Sequence, residues 1–367
     1  MKICFYNVTA SCRSGGLETY CWEVGHALAE RGHEVHIMAG EGGSRRRENV
    51  VLIQFPFRDR NLFPNLGTRF RKLMERLSFG INAGYFLSKN SYDAIVINKP
   101  FDFPVLWWLK KRGLKAKVVF RSGGTDFFPG DGFFAAAVDY WVSSSKYNAR
   151  QIEKRYGRSV AVIHNGVDTR LFSPMPKQLE LKRKFGIPEK ALVLMSTGRL
   201  IGLKGLQTIV DILPALEHIH FIIVGEGPMR PVLEDLAGNL GVSSRVHFSG
   251  AIAHKELPYV LNQADIFVQP SIGEEAFGIS VVEAMACGLP VLASNNGGIP
   301  EVVTDNVTGL LLPAGDIASW QGAVERLSKA PELREKMGML SRERAVRYFP
   351  WLSNAEKLEK LINMENG

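Results

Sequence analysis

Two glutamates, Glu275 and Glu283, stand with seven residues between them in the segment Gln269–Glu283, Q-P-S-I-G-E-E-A-F-G-I-S-V-V-E. A loop carboxylate such as Glu275, followed by the backbone N–H groups of Ala276, Phe277 and Gly278, could meet a sugar while the amides face a diphosphate. Glu283 falls in the first turn of the next expected helix, where a carboxylate can accept hydrogen bonds from ribose hydroxyls. Ser280-Val281-Val282-Glu283 also fits a capping box, which is the plainer reading of Glu283. Upstream, Gly198-Arg199-Leu200-Ile201-Gly202-Leu203-Lys204-Gly205 places two cations among glycines. Arg199 offers a planar fork and Lys204 a point charge, a pair able to neutralise a diphosphate; two solvated surface cations are the alternative. Near the start, the glycine pair Gly15-Gly16 is either a phosphate approach or a plain strand-to-helix turn. It is not the G-x-G-x-x-G of dinucleotide enzymes, which counts against an oxidoreductase.

The elements that must carry these residues alternate. Ile3–Asn7 reads as a strand and Leu17–Arg31 as an amphipathic helix stopped by Gly32. Glu34–Ala39 is the next strand, leading into the loop Gly40-Glu41-Gly42-Gly43-Ser44. Ala94–Asn98, Lys117–Arg121, Tyr140–Ser143 and Ser159–His164 continue the strand series. Turn formers then cluster at Asn165-Gly166-Val167-Asp168 with Pro174 and Pro176, and the pattern restarts. Strands are expected at Ala191–Ser196, His220–Val224, Val246–Ser249, Ile266–Gln269, Pro290–Ala293 and Gly309–Leu312, with a helix at Gly205–Leu213. At 367 residues, this alternation predicts an α/β chain of two doubly wound, parallel-sheet domains.

The ordered motifs extend over nearly the whole chain: G-G-L-E at 15–18, R-G-H-E-V at 31–35, N-G-V-D at 165–168, G-R-L-x-x-x-K-G at 198–205 and V-G-E-G-P at 224–228. They end with the spaced glutamates, E-A-M-A-C-G-L-P-V at 283–291 and G-G-I-P-E-V-V at 297–303. Together they resemble glycosyltransferase family 4, the retaining glycosyl transferases of group 1. That resemblance implies the GT-B fold, two Rossmann-like domains facing a central cleft. It implies an acceptor-side domain over 1–168, a nucleotide-sugar domain over 169–350, and a last helix, 351–367, crossing back to the first. By the same resemblance Arg199 and Lys204 bind the donor diphosphate, Glu275 contacts the donor sugar, Glu283 contacts the ribose, and Gly15-Gly16 approach the diphosphate. One position departs. Many members carry H-G-x-D in the first domain, but here Arg121-Ser122-Gly123-Gly124-Thr125-Asp126 puts Gly123 where the histidine is expected. The histidine's role is therefore not carried over; Asp126 is a candidate on the acceptor side, with capping of the next segment as its alternative.

The implied activity is transfer of a hexosyl group, with retention, to a hydroxyl of a glycan or lipid-linked acceptor, as in cell-envelope polysaccharide or glycolipid assembly. The donor is expected to be a UDP-sugar, with a GDP-sugar second. A non-catalytic nucleotide-sugar binder and a transferase with a soluble small-molecule acceptor are the alternatives. No D-x-D occurs, so no metal or cofactor is expected. The net charge of +8 comes from residues 1–172, the second half being slightly acidic. No nucleic-acid module accompanies that charge, so it is referred instead to an anionic ligand or surface. Residues 55–80 interleave Arg58, Arg60, Arg69, Arg71, Lys72 and Arg76 with phenylalanines and leucines. Read as a helix from Leu66, Phe70, Leu73 and Leu77 make an apolar stripe and Arg69, Lys72 and Arg76 a basic one. Such a helix would suit an anionic membrane surface, or simply cover the sheet. Four cysteines without C-x-x-C spacing and the lack of a spanning apolar run suggest a cytoplasmic protein, peripheral on the inner membrane face if that helix docks.

Overall fold

Short runs of β-branched and aromatic residues, each closed by glycine or a polar turn, become the strands of two parallel sheets in the computed structural model. It describes residues 1–13, 15–43, 46–124 and 126–364. Ser44 of the glycine loop, Thr125 beside Asp126, and residues 365–367 of the last segment lie outside the described residues. Contacts divide the chain into one unit of Met1–Asn165 with Trp351–Gly367 and a second of Gly166–Pro350.

The strands of the first unit are β1 (Lys2–Tyr6), β2 (Glu34–Gly40), β3 (Val50–Phe55), β4 (Ala94–Ile97), β5 (Lys117–Ser122), β6 (Tyr140–Ser143) and β7 (Ala161–Val162). Their order is β3-β2-β1-β4-β5-β6-β7, every pair parallel. Residues Ile3–Tyr6 and Ala94–Ile97 are wholly buried, because helices cover both faces of a parallel sheet and leave no polar side to its central strands. Two strands differ from the sequence expectation. β3 is an additional edge strand, and the run expected over Ser159–His164 keeps only Ala161–Val162 in the ladder, against β6.

The final helix, Trp351–Asn363, packs in this unit against the helix Gly16–Glu30. Trp351 meets Tyr20 edge-on at 6.2 Å, and Arg31 reaches Glu356 and Glu359. Lys117 Nζ donates to the carbonyl of Ile362 at 2.7 Å. These contacts join positions more than 200 residues apart, which explains why no local pattern reveals them.

The second unit contains β8 (Leu192–Thr197), β9 (Ile219–Val224), β10 (Val246–Gly250), β11 (Ile266–Gln269), β12 (Val291–Ser294) and β13 (Gly309–Leu312). Here the order is β10-β9-β8-β11-β12-β13, again all parallel. In both units the order reverses beside the first strand, between β1 and β4 and between β8 and β11. Crossovers leave a crevice at such a point, outside the carboxyl ends of the strands, and that is where ligands gather in open α/β sheets.

At the opposite, amino-terminal edge of the second sheet His220 and His247 stack with rings nearly parallel, Nδ1 of one lying 3.1 Å from Nε2 of the other. Phe185 covers His247. One ring must donate and the other accept, so the pair favours the neutral forms. Burial, then the neighbouring His220, lowers His247 to about 4; burial and the charges of Arg245 and Lys182 also lower His220. Above the ordinary histidine value of about 6.5 both folded and unfolded chains hold these rings neutral. As pH falls from there toward 4 the unfolded chain takes up the proton first, and stability is lost. Discounted for the water that reaches the rings, the loss is about 1–2 kcal/mol. Thermal unfolding between pH 7 and 4.5 should therefore show a shallower fall for His247→Phe than for the wild type; parallel curves would refute the assignment.

Candidate active site

The crevice of the second unit gathers the loop residues expected to bind a donor. After β8 the chain runs through Gly198 and Arg199 into a tight turn, Gly202–Lys204. Gly205 ends that turn with φ +63°, and a Cβ on it would lie 2.1 Å from the Pro270 carbonyl. Only glycine lets the loop after β8 lie this close to the loop after β11. The closeness brings Lys204 to Glu275: Nζ to Oε1 is 2.7 Å, with Ser271 Oγ donating to the same oxygen at 3.0 Å and Gln269 Nε2 at 3.3 Å. Burial would raise the Glu275 carboxyl. The Lys204 ammonium, the hydrogen bonds and the Arg199 charge outweigh that and hold it below the ordinary carboxylate range. The Arg199 residue is exposed, and its guanidinium has no hydrogen-bond or ion-pair partner among the described residues. Lys204 and Glu275, expected to contact different parts of a donor, thus contact each other across the point where the strand order reverses.

The following loop turns into the helix Ile279–Ala286 through Gly278, whose φ is +99°. Ala276 and Gly278 are partly exposed, but the Phe277 ring is core, packed edge-on against Phe349. Of Phe277, then, the backbone alone can serve a ligand. The capping-box reading of Glu283 does not hold. The helix begins at Ile279, Ser280 Oγ donates to Gln269 Oε1 at 3.2 Å, and Glu283 takes its hydrogen bond from His254 Nε2 at 2.7 Å. His254 was not legible as a partner, since it sits 29 residues earlier in an unremarkable polar stretch.

In the first unit, Gly15 is the N-cap of the helix Gly16–Glu30 and Gly16 its first residue. Its third residue, Glu18, is buried; it accepts from Thr9 Oγ1 at 2.5 Å and sets Oε2 over Gly15. A carboxylate of the chain itself thus occupies part of the positive helix end that was expected to receive a phosphate. Asp126 does not cap the next segment. It is clamped by Lys72, at 2.7 and 2.9 Å, and by Lys99, at 3.2 Å. Although burial would raise its carboxyl, the Lys99 and Lys72 charges hold it low, so it is a poor proton acceptor. At Gly123 a Cβ would come within 2.5 Å of Leu17 Cδ2 and 3.1 Å of Arg121 Nη1. Leu17 fills the space a histidine side chain would need. Beneath it Arg121 is buried over the Tyr20 ring at 4.0 Å and donates to Asn165.

The basic stretch 55–80 is largely committed to internal partners. Its helix is Thr68–Lys89, and the face it buries is Glu75, Arg76, Phe79, Gly80, Ala83, Gly84 and Leu87, not the stripe expected from Phe70, Leu73 and Leu77. Arg76 is buried against Asp102 at 2.5 Å, Arg60 and Arg13 both bind the buried Glu75, Arg71 donates to the Phe63 carbonyl, and Lys72 holds Asp126. Arg58 and Arg69 remain exposed. Leu66, Phe70, Leu73, Phe128 and Pro129 line an open hollow of about 570 Å³ together with Arg69. Among the described residues no helix is long and apolar enough to cross a membrane, and no group of three His, Cys, Asp or Glu is placed to hold a metal ion.

Known proteins fit this architecture. The family description "Glycosyltransferase Family 4" matches residues 14–171, and "Glycosyl transferases group 1" matches 177–344. The GDP-mannose-dependent alpha-(1-6)-phosphatidylinositol monomannoside mannosyltransferase of Mycobacterium tuberculosis is 28% identical over 97% of this chain and 96% of its own. Its Mycolicibacterium smegmatis counterpart is 32% identical over 60% of each chain, so that match spans less than two thirds of the relative. The fold superposes on Anabaena Alr3699/HepE, solved with UDP and glucose, with a TM-score of 0.84 at 20% identity over 99% of this chain and 100% of that one. With its two Rossmann-like units and both family descriptions matched along its length, the chain belongs to glycosyltransferase family 4 and has the GT-B fold.

Proposed function

We propose that this glycosyltransferase moves a hexosyl group from a nucleotide-sugar to an acceptor hydroxyl with retention of configuration, without a metal. The observation that carries the reading is the Lys204–Glu275 pair beside the unpartnered Arg199 at the crevice of the second unit. A donor brings a diphosphate and a sugar, and the two cations and one carboxylate match those two parts. As the bond from the anomeric carbon to the diphosphate oxygen breaks, negative charge grows on the leaving oxygen, where Arg199 and Lys204 stabilise it. Positive charge grows on the sugar, where Glu275, kept ionised, opposes it. The acceptor hydroxyl adds on the same face and yields its proton to the departing diphosphate, so no enzyme carboxylate forms a glycosyl bond, unlike retaining hydrolases. Asp126, tied to two lysines, contributes charge placement on the acceptor side rather than proton abstraction.

The names of the mycobacterial relatives support GDP-mannose as donor, while the UDP complex of the Anabaena protein supports a uridine nucleotide. The same relatives act on phosphatidylinositol mannosides by name, and the apolar hollow beside Arg69 suits the lipid part of such an acceptor. A panel of UDP- and GDP-sugars, followed by nucleotide release and donor hydrolysis, tests the activity. Turnover with one donor is expected to survive EDTA. Binding without turnover would make the protein a nucleotide-sugar binder, and loss in EDTA restored by Mg²⁺ would contradict the metal-free reading.

Three substitutions separate the roles. Arg199→Ala and Lys204→Ala should each weaken nucleotide-sugar binding by about 1.5–3 kcal/mol, the value of a hydrogen bond to a charged group, as read by calorimetry. Glu275→Gln should lower kcat far more than it raises KM, because its charge matters chiefly in the transition state. Unchanged affinity in folded Arg199 and Lys204 variants would remove both from the site.

A further inference from the structure

Glu283 is 6% exposed, and its carboxylate has one hydrogen-bond partner among the described residues, His254. An ionised carboxylate only accepts, so the hydrogen is on Nε2, and the 2.7 Å distance is that of a charge-assisted bond. This bond engages Oε1 and leaves Oε2 without a hydrogen-bond partner among the described residues. The imidazole is itself held. His254 opens the short turn His254–Glu256 after β10, and its ring lies 5.2 Å from that of the fully buried Phe172. Its side chain is 35% exposed, and an ion pair with one partner so accessible contributes little to stability. The arrangement is therefore poorly explained as a structural tie. It is well suited to holding one glutamate rotamer with one oxygen free.

We propose that His254 is a positioning residue for the donor: by fixing Oε1 of Glu283 it presents Oε2 to the ribose hydroxyls of the nucleotide. This rests on the reading of Glu283 as the ribose contact. A glutamate side chain free to rotate would lose that freedom on binding, whereas one already held by His254 does not. The consequence is selectivity. A ribonucleotide places a hydroxyl on Oε2, and a deoxynucleotide leaves a nearly buried carboxylate oxygen without one.

Calorimetric titration of UDP and GDP identifies the tighter nucleotide, which is then compared with its 2′-deoxy and 3′-deoxy forms. The wild type, His254→Phe and His254→Gln are titrated alike. Phenylalanine keeps a ring against Phe172 and removes the donor; glutamine returns an N–H. The wild type should bind the ribonucleotide about tenfold or more tighter than at least one deoxy form. His254→Phe should bring that ratio to within about twofold while the protein still unfolds in a cooperative thermal transition, and His254→Gln should restore most of it. Full discrimination retained in folded His254→Phe overturns the proposal, and His254→Ala gives the same readout if the Phe variant does not fold. A wild type that binds ribo and deoxy forms equally overturns the ribose reading of Glu283 itself, and the proposal falls with it.

Discussion

Everything in the second unit's site follows from the reversal of strand order between β8 and β11. Crossovers leave these neighbouring strands toward opposite sides, so their carboxyl ends cannot be closed over by one helix. The loops that follow them must face each other across the gap, and the turn at Gly205 lets them approach to contact. Arg199 and Lys204 come from one side and Glu275 from the other. Charges of opposite sign left at such a gap pair with each other until a ligand of complementary charge arrives. The loop after β12 borders the same gap, Gly298 N–H donating to the Glu275 carbonyl at 2.7 Å. The backbone of Glu275 is thus as firmly placed as its side chain.

The first unit repeats the reversal between β1 and β4 but fills it differently. Glu18 lies at the helix end, Leu17 covers the space at Gly123, and Arg121 is buried without a carboxylate partner among the described residues. Arg60, Arg76 and Lys72 are balanced from within, through Glu75, Asp102 and Asp126. Of the six cations between residues 55 and 80, only Arg58 and Arg69 are exposed.

What could be read beforehand follows the range of the interactions. The alternating elements, the parallel sheets and the loop motifs at 198–205 and 269–283 depend on neighbours within a few residues, so the amino-acid pattern carries them. Partners from separate elements were hidden: Lys72 and Lys99 on Asp126, Arg76 with Asp102, and His254 with Glu283. Two local patterns misled for the same reason. Ser280 and Glu283 have capping-box spacing, yet a left-handed Gly278 starts the helix two residues earlier than that spacing needs. The leucine and phenylalanine stripe at 70–77 has the period of a buried face, but the ion pairs of Glu75 and Arg76 draw the adjacent face inward instead.

The account turns on whether the Lys204–Glu275 pair stands in for a bound donor. A crystal structure of the protein with the tighter of UDP and GDP, refined alongside the nucleotide-free form, tests this directly. The account predicts that Lys204 Nζ leaves Glu275 for a diphosphate oxygen, joined there by Arg199, while Ser271 keeps its hydrogen bond to Glu275. A diphosphate bound elsewhere, with the Lys204–Glu275 pair intact, would contradict it.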